Sequence, residues 1–484
     1  MSTSTAKRDK LYLHVFITAL LMFGFGCLPA PDPITPLGMK MLGVFLGLIY
    51  GWSFSSLAWP SIMGMLALIM TGSISFDQLL SLGFGNTTVV FLLFVFMFTA
   101  AIEQEGLTEY LAYWSISRKV LIGRPWVLSF AVLFGAMITS AFTNTFAAIL
   151  IFWSIFYNIC HQVGIKPYEK YPTLMTLGIA IFSILGSCFL PYRTSPLILL
   201  GTYASLTGGD GSINFVKFML YVVPLIFILL VVYLLVCRFI FRVNIQSLKN
   251  IDMNFIDENA LVLNKRQKIV MGSLVAFIVL AVLQSLLPGD AGLGLLLTRM
   301  TTTGIVMLML VLLLWVKVDG KHLIDISSLA QKGIVWDMML LFIIIFPLSD
   351  LMMGEDTGIR TCLVNLLTPI FSDISPMIFM VAVLALPAIL TNFANNIVVA
   401  MIFLQIICSI GPSLGIDTYP LVMCLLFLAN IAFYTPAASG PAAMVFGNTE
   451  WVKAKDIYTS GGLMIVIIDI VVIVVGLVLG NLIF

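Results

Sequence analysis

Two stretches decide how this chain is read: Leu190-Pro191-Tyr192-Arg193-Thr194-Ser195-Pro196 and, in the second half, Thr435-Pro436-Ala437-Ala438-Ser439-Gly440-Pro441. They share the pattern Pro-x-x-[Thr/Ser]-x-Pro, and each lies inside a long apolar run, 172–203 and 420–446. A proline in a helix removes a backbone donor and clashes with the preceding turn, so neither run is expected to stay helical through 190–196 or 435–441. The surroundings are lipid: of 484 residues 61% are hydrophobic and only 10% charged, with a mean hydropathy of +1.10. Irregular backbone survives at membrane depth only where protein or a water-filled cavity satisfies its N–H and C=O groups. Both interruptions are therefore expected to line a cavity.

A crossing helix needs about 20 apolar residues. Runs of that kind place eleven spans near 11–28, 37–52, 56–72, 86–102, 172–203, 215–237, 269–287, 301–316, 335–352, 420–446 and 462–483. Two further apolar segments, 126–160 and 377–410, are interrupted at Phe142 to Asn144 and at Asn392 to Asn396, and each reads as a re-entrant hairpin. The expected fold is an all-α polytopic membrane protein with about eleven transmembrane helices, two hairpins and two broken helices. With the N-terminus in the cytoplasm, most loop Lys and Arg, including Arg118, Lys119, Arg124, Arg238, Arg242, Lys265 and Lys453, fall inside, as the positive-inside rule requires. The C-terminus then lies outside, in a multi-pass protein of the cell (inner) membrane. The basic start, Lys7 to Lys10 ahead of an apolar run, is read as a retained first span rather than a signal peptide, because no small-residue cleavage site follows.

Marked residues recur between the halves. Asp77, Gly85, Leu92, Leu93 and Phe94 match Asp325, Gly333, Leu340, Leu341 and Phe342; Thr143-Asn144-Thr145 matches Asn395-Asn396-Ile397; the two proline stretches are the third match. The topology inverts one copy relative to the other, which is secondary-transporter architecture. The expected division is scaffold at 1–120 and 269–373, transport unit at 121–241 and 374–484, and a polar cytoplasmic linker at 242–268.

The interruptions supply a binding inventory of neutral oxygens and donors: Thr143, Asn144, Thr145, Thr194, Asn395, Asn396 and Ser439. Carbonyls freed at the breaks suit a cation, and half-helix N-termini suit an anion. Arg193 adds a charge that costs about 2.5–3.5 kcal/mol near the bilayer centre, so it needs an anionic partner. Three readings stand for it: a substrate anion, Asp469 in the last span, or snorkelling to an interface.

At these residues the chain resembles the divalent anion/sodium symporter family of the ion transporter superfamily, the di- and tricarboxylate carriers. Thr143-Asn144-Thr145 is similar to that family's first hairpin signature, Thr391 to Ile397 to its second in part, and Phe433 to Pro441 to its second helix break. The resemblance implies a homodimer whose hairpins and broken spans move as an elevator, with sodium sites at Asn144 and Asn396 completed by break carbonyls. The implied cargo is a small organic dianion such as a C4-dicarboxylate or citrate, with no organic cofactor. Ile397 stands in place of a hydroxyl, Leu190 in place of a Thr, and Arg193 is an additional charge. Exchange without sodium, and transport of an inorganic anion such as sulfate, therefore stay open beside sodium symport.

Other classes fit less well. Twenty-four Lys and Arg against 23 Asp and Glu leave no basic excess for nucleic acid. His14, His161 and His322 sit near span ends, away from any acid pair or nucleophile, which argues against an enzyme. A channel would want a continuous polar lining. The seven cysteines lack metal-site spacing and read as core residues. Glu103, Glu105 and Glu109, followed by Arg118 and Lys119, suggest an amphipathic surface helix.

Overall fold

The computed structural model describes residues 12–208, 213–250, 262–352, 354–362, 365, 375–393, 396–436 and 438–484. Apolar residues surround most of the helices on every side, the mark of helices that face neighbours and lipid rather than water. Among the described residues nine helices are long and apolar enough to cross a membrane, or ten if one bent pair is a single span. The first half runs through α1 (Tyr12–Cys27), α2 (Pro36–Phe54), α3 (Ala58–Met70), the short α4 (Phe76–Leu82), α5 (Thr87–Gln104), α6 (Leu107–Ile116), α7 (Pro125–Phe142), α8 (Thr145–Gln162), α9 (Lys170–Gly186), α10 (Thr194–Thr207) and α11 (Phe215–Leu235). The second half runs through α12 (Lys265–Leu286), α13 (Gly292–Trp315), a two-stranded ladder pairing Lys317–Val318 with Lys321–His322, α14 (Ile326–Gly333) and α15 (Trp336–Met352). It ends with α16 (Pro376–Leu390), α17 (Asn396–Ile410), α18 (Thr418–Asn430), α19 (Gly440–Gly447) and α20 (Ala454–Ile483).

The repeat is visible as packing. Each half carries a short helix before a long one, then a helical hairpin, then a helix in two pieces, then a long span. The short helix of each half lies on the long helix of the other. A methyl on Gly83 would meet the Ile343 carbonyl of α15 at 2.5 Å, and one on Gly333 would meet the Ala100 methyl of α5 at 2.5 Å. Glycine at both positions lets the helices approach this closely, in the way small residues serve helix contacts in lipid.

The expected helices are present, with shifts that have local causes. The breaks fall at 187–193 and 431–439 rather than 190–196 and 435–441. Pro191 and Pro436 lie in the breaks, whereas Pro196 and Pro441 lie in the first turns of α10 and α19, where a missing N–H costs nothing. The span expected from 301 extends back to Gly292, and Thr301 marks a kink inside it with φ 56° and ψ 177°. The last four residues of the expected linker form the first turn of α12, closed by a capping box between Asn264 and Gln267; its residues 251–261 lie outside the described residues. The three glutamates do not share one helix, because Gly106 at φ 72° separates α5 from α6. Glu105 instead holds Arg266 in the only ion pair among the described residues, at 2.7 Å.

Candidate functional site

The first hairpin turns on two residues. Thr143 is extended and fully buried, and its hydroxyl donates to the Thr139 carbonyl at 2.7 Å. Asn144 follows as the cap of α8, its Oδ1 accepting from the N–H groups of Phe146 (2.9 Å) and Ala147 (3.3 Å). A capping asparagine satisfies donors that a helix start would leave orphaned. Ser140 donates to the Thr145 hydroxyl at 3.0 Å, closing the turn. Every one of these bonds stays within the hairpin, and the Asn144 side chain remains exposed.

The first break leaves α9 at Gly186, whose surface is pressed against Met137 and Ser140 of the hairpin. Two tight turns carry the chain onward, Phe189 N–H to Gly186 O at 3.0 Å and Arg193 N–H to Leu190 O at 3.1 Å. Arg193 occupies the cap position of α10 without capping it. Its Nε is buried and has no hydrogen-bond partner. The acid whose charge it feels is Glu103, at the end of α5, and no ion pair joins them. The expected alternative partner, Asp469, forms no pair with it: Asp469 Oδ1 is itself buried without a partner in α20. Thr194 and Ser195 open α10.

The second hairpin tip is tied to the second break. The Asn392 side chain makes three bonds, with Oδ1 accepting from Phe433 N–H (3.0 Å) and Tyr434 N–H (2.9 Å) and the amide donating to Ala388 O (2.7 Å), and its backbone carbonyl accepts from the Thr435 hydroxyl (2.6 Å). The Thr391 hydroxyl lies 2.7 Å from Ala429 O and 3.0 Å from Asn396 Oδ1, sharing one proton between them. Ser439 donates to Ala432 O at 2.8 Å and caps α19 by accepting from Ala442 N–H at 3.1 Å. Asn395 lies outside the described residues.

The four interruptions meet. Ser195, just past the first break, donates to Asn430 Oδ1, just before the second, at 3.1 Å. Ser195, Asn396 and Asn430 line one small cavity of about 30 Å³, with Ala400 and Leu426 among its walls. That is room for a water rather than a dicarboxylate. The first hairpin tip reaches the second break on its other side: a methyl on Gly440 would sit 2.7 Å from Phe146 Cζ. Of the expected site residues, Asn396 lines the small cavity, Ser439 is bonded within the second break, Arg193 and Thr194 lie at the start of α10 beside Ser195, and Thr143, Asn144 and Thr145 make their bonds within the first hairpin. Thr391, Asn392, Thr435 and Asn430 complete the junction. Asn430 was hidden because a lone asparagine at the end of an apolar run reads as a cap or an interhelical bond. Among the described residues no group of three or more His, Cys, Asp or Glu could hold a metal ion, so a cation here would meet neutral oxygens.

Paired hairpins and broken helices whose non-helical turns meet inside a bundle of apolar spans define a multi-pass membrane transport protein. The family model described as "Citrate transporter" matches residues 45–304. The chain belongs to that family of transporters. It is 24% identical over 486 aligned positions, covering 95% of this chain and 88% of the relative, to the sodium-dependent dicarboxylate transporter SdcS of Staphylococcus saprophyticus. The protein of the same name from Staphylococcus aureus strain MSSA476 matches at the same identity and coverage. A sodium-dependent low-affinity dicarboxylate transporter of Caenorhabditis elegans is 33% identical over 84 positions, 17% of this chain and 14% of its own length.

Proposed function

We propose that this protein is a secondary active transporter of a small organic dianion, a C4-dicarboxylate or citrate, coupled to sodium. The observation that carries the reading is the junction of the two hairpin tips with the two breaks, joined through Ser195 and Asn430. Such a junction offers a solute both kinds of group it needs: donors from the starts of α8, α10 and α19 for carboxylate oxygens, and carbonyls with the Asn144 and Asn396 amide oxygens for sodium. The names of the curated relatives support both the cargo class and the coupling ion.

Arg193 supplies one full positive charge to the bound dianion. Support comes from its buried, unpartnered Nε beside the first break and from the lack of an ion pair with Asp469. The same charge favours a second reading, exchange of one dianion for another, because a fixed cation at the site takes over neutralisation that a sodium ion would otherwise provide. The small size of the cavity at the junction is what a closed carrier state requires. Opening follows an elevator motion, in which the hairpins and broken helices (121–241 and 374–484) move against the scaffold (1–120 and 269–373). The working unit is a homodimer in the cell membrane, with inverted repeats, the N-terminus in the cytoplasm and the C-terminus outside.

Uptake of labelled succinate, malate, citrate and sulfate into proteoliposomes, with and without a sodium gradient, tests the proposal. Sodium-driven accumulation of a dicarboxylate is expected. Accumulation that needs an internal dianion and ignores sodium would move the assignment to exchange. Flux that never saturates would overturn the carrier reading.

A further inference from the structure

A second cavity, of about 540 Å³, lies beside the junction, between the first break and α5, α11, α12 and α13. Pro191, Tyr192 and Leu197 of the first break and α10 line it, together with Thr87 and Thr88, Asn214 and Phe215, Gln284 and Ser285, and the threonines at 298, 301, 302 and 303. Its size falls within the roughly 300–1,000 Å³ of small-molecule sites. Ten of the sixteen described lining residues carry a hydroxyl or an amide, and among the described residues no acidic side chain contributes to it.

Three features give this chamber a sign. First, helices begin around it: α5 at Thr87, α11 at Phe215, and the later part of α13 at Thr302, after the non-helical Thr301. A helix start carries a positive partial charge, and although Asn86 and Asn214 accept from the Thr88 and Lys217 N–H groups, a single cap does not satisfy the whole first turn. Second, the Thr301 kink releases backbone groups inside a span, which is tolerated where the backbone lines a polar cavity. The threonine hydroxyls do not all compensate for it; the Thr302 hydroxyl already donates to Gln284 Oε1 at 3.2 Å. Third, Tyr192, only 6% exposed, lines the chamber, and its hydroxyl has no hydrogen-bond partner.

We propose that this chamber is a second anion site, an antechamber that collects a small carboxylate-bearing solute before it reaches Arg193. The inference rests on the transport reading above for the identity of the solute, but not for the sign of the chamber. Neutral hydroxyl donors and helix starts hold a carboxylate loosely, as a waiting position must. The chamber reaches Pro191 and Tyr192, so an anion released from its floor is next to the residue carrying the fixed charge.

The test places a thiol on the chamber wall by Thr298→Cys, with Thr303→Cys as a second position should the first variant not reach the membrane. Labelling rates are measured for an anionic reagent, sulfonatoethyl methanethiosulfonate, and a cationic one, trimethylammonioethyl methanethiosulfonate. Each is normalised to its rate with free cysteine, and labelling of the parent protein is subtracted. The anionic reagent is expected to react about tenfold faster or more after normalisation, from several helix starts acting together. Succinate is expected to slow that reaction, and to do so equally in an Asn144→Ala background where the junction is disabled. A normalised ratio near one, or protection that disappears with Asn144→Ala, would overturn the antechamber. A parent protein that takes up no carboxylate would instead sink the transport reading, while the labelling ratio would still judge the chamber.

Discussion

The two hairpin tips solve the same problem in opposite ways. The first is self-contained: Asn144 caps its own helix, Thr143 bonds back to Thr139, and Ser140 closes on Thr145. The second is stitched to its broken helix, with Asn392 holding Phe433, Tyr434 and Thr435, and Thr391 reaching Ala429. The breaks differ to match. The first is closed by two local turns and carries Arg193, whose Nε is left without a partner, whereas the second depends on a neighbour's side chain and carries no charge. One copy of the repeat is thus stitched across to its broken helix, and the other is closed by its own local bonds and leaves the Asn144 side chain exposed and the Arg193 Nε unpartnered.

Substitution can break this contrast. The largest effect is expected from Asn392→Ala, which strands the buried Phe433 N–H at about 1–3 kcal/mol and also frees the partly buried Tyr434 N–H. Uptake should vanish together with a lowered unfolding midpoint in detergent; a stable, active variant would show that the stitch does not matter. Asn144→Ala and Asn396→Ala should each abolish uptake, more than about a hundredfold, while leaving folded protein. The loss of the Asn144 cap, or of the one bond that Asn396 accepts from Thr391, costs only about 1 kcal/mol of stability, so size-exclusion profiles and melting curves should stay near those of the parent. Near-normal kinetics in both variants would remove the tips from the site. Arg193→Gln should weaken dianion binding about tenfold or more and monoanion binding much less, as expected for a charge-assisted contact worth about 1.5–3 kcal/mol. Equal losses for both would count against direct contact. The smallest effect is expected from Ser195→Ala, which removes one neutral hydrogen bond to Asn430 and should change the apparent KM a few-fold, in line with about 0.5–1.5 kcal/mol.

The contrast also marks what a sequence can disclose. Pro191 and Pro436 announced the breaks because a proline forbids the helix through them, and the apolar runs announced the spans. The asparagines at 144 and 396 were legible as paired interruptions. Asn392 stood only as the edge of the second interruption and was not singled out as a site residue, since nothing local says whether such a residue caps its own helix or binds backbone 41 residues away. Thr301 was invisible as a kink, because threonine carries no backbone signature comparable to proline or glycine. Arg193 stood out as an intramembrane charge, but that Asp469 does not pair with it depends on how the helices pack, which spacing along the chain does not set.

The central claim is that the two breaks meet across the junction and travel as one body against the scaffold. The most direct measurement is the double variant Ser195→Cys with Asn430→Cys, side chains now 3.1 Å apart, oxidised in native membranes and assayed for succinate uptake. The prediction is a cross-link that forms readily and leaves uptake within a few-fold of that of the same variant after reduction, as expected of two positions in one moving body. A pair that never cross-links, or a cross-link that stops uptake until it is reduced, would contradict the account.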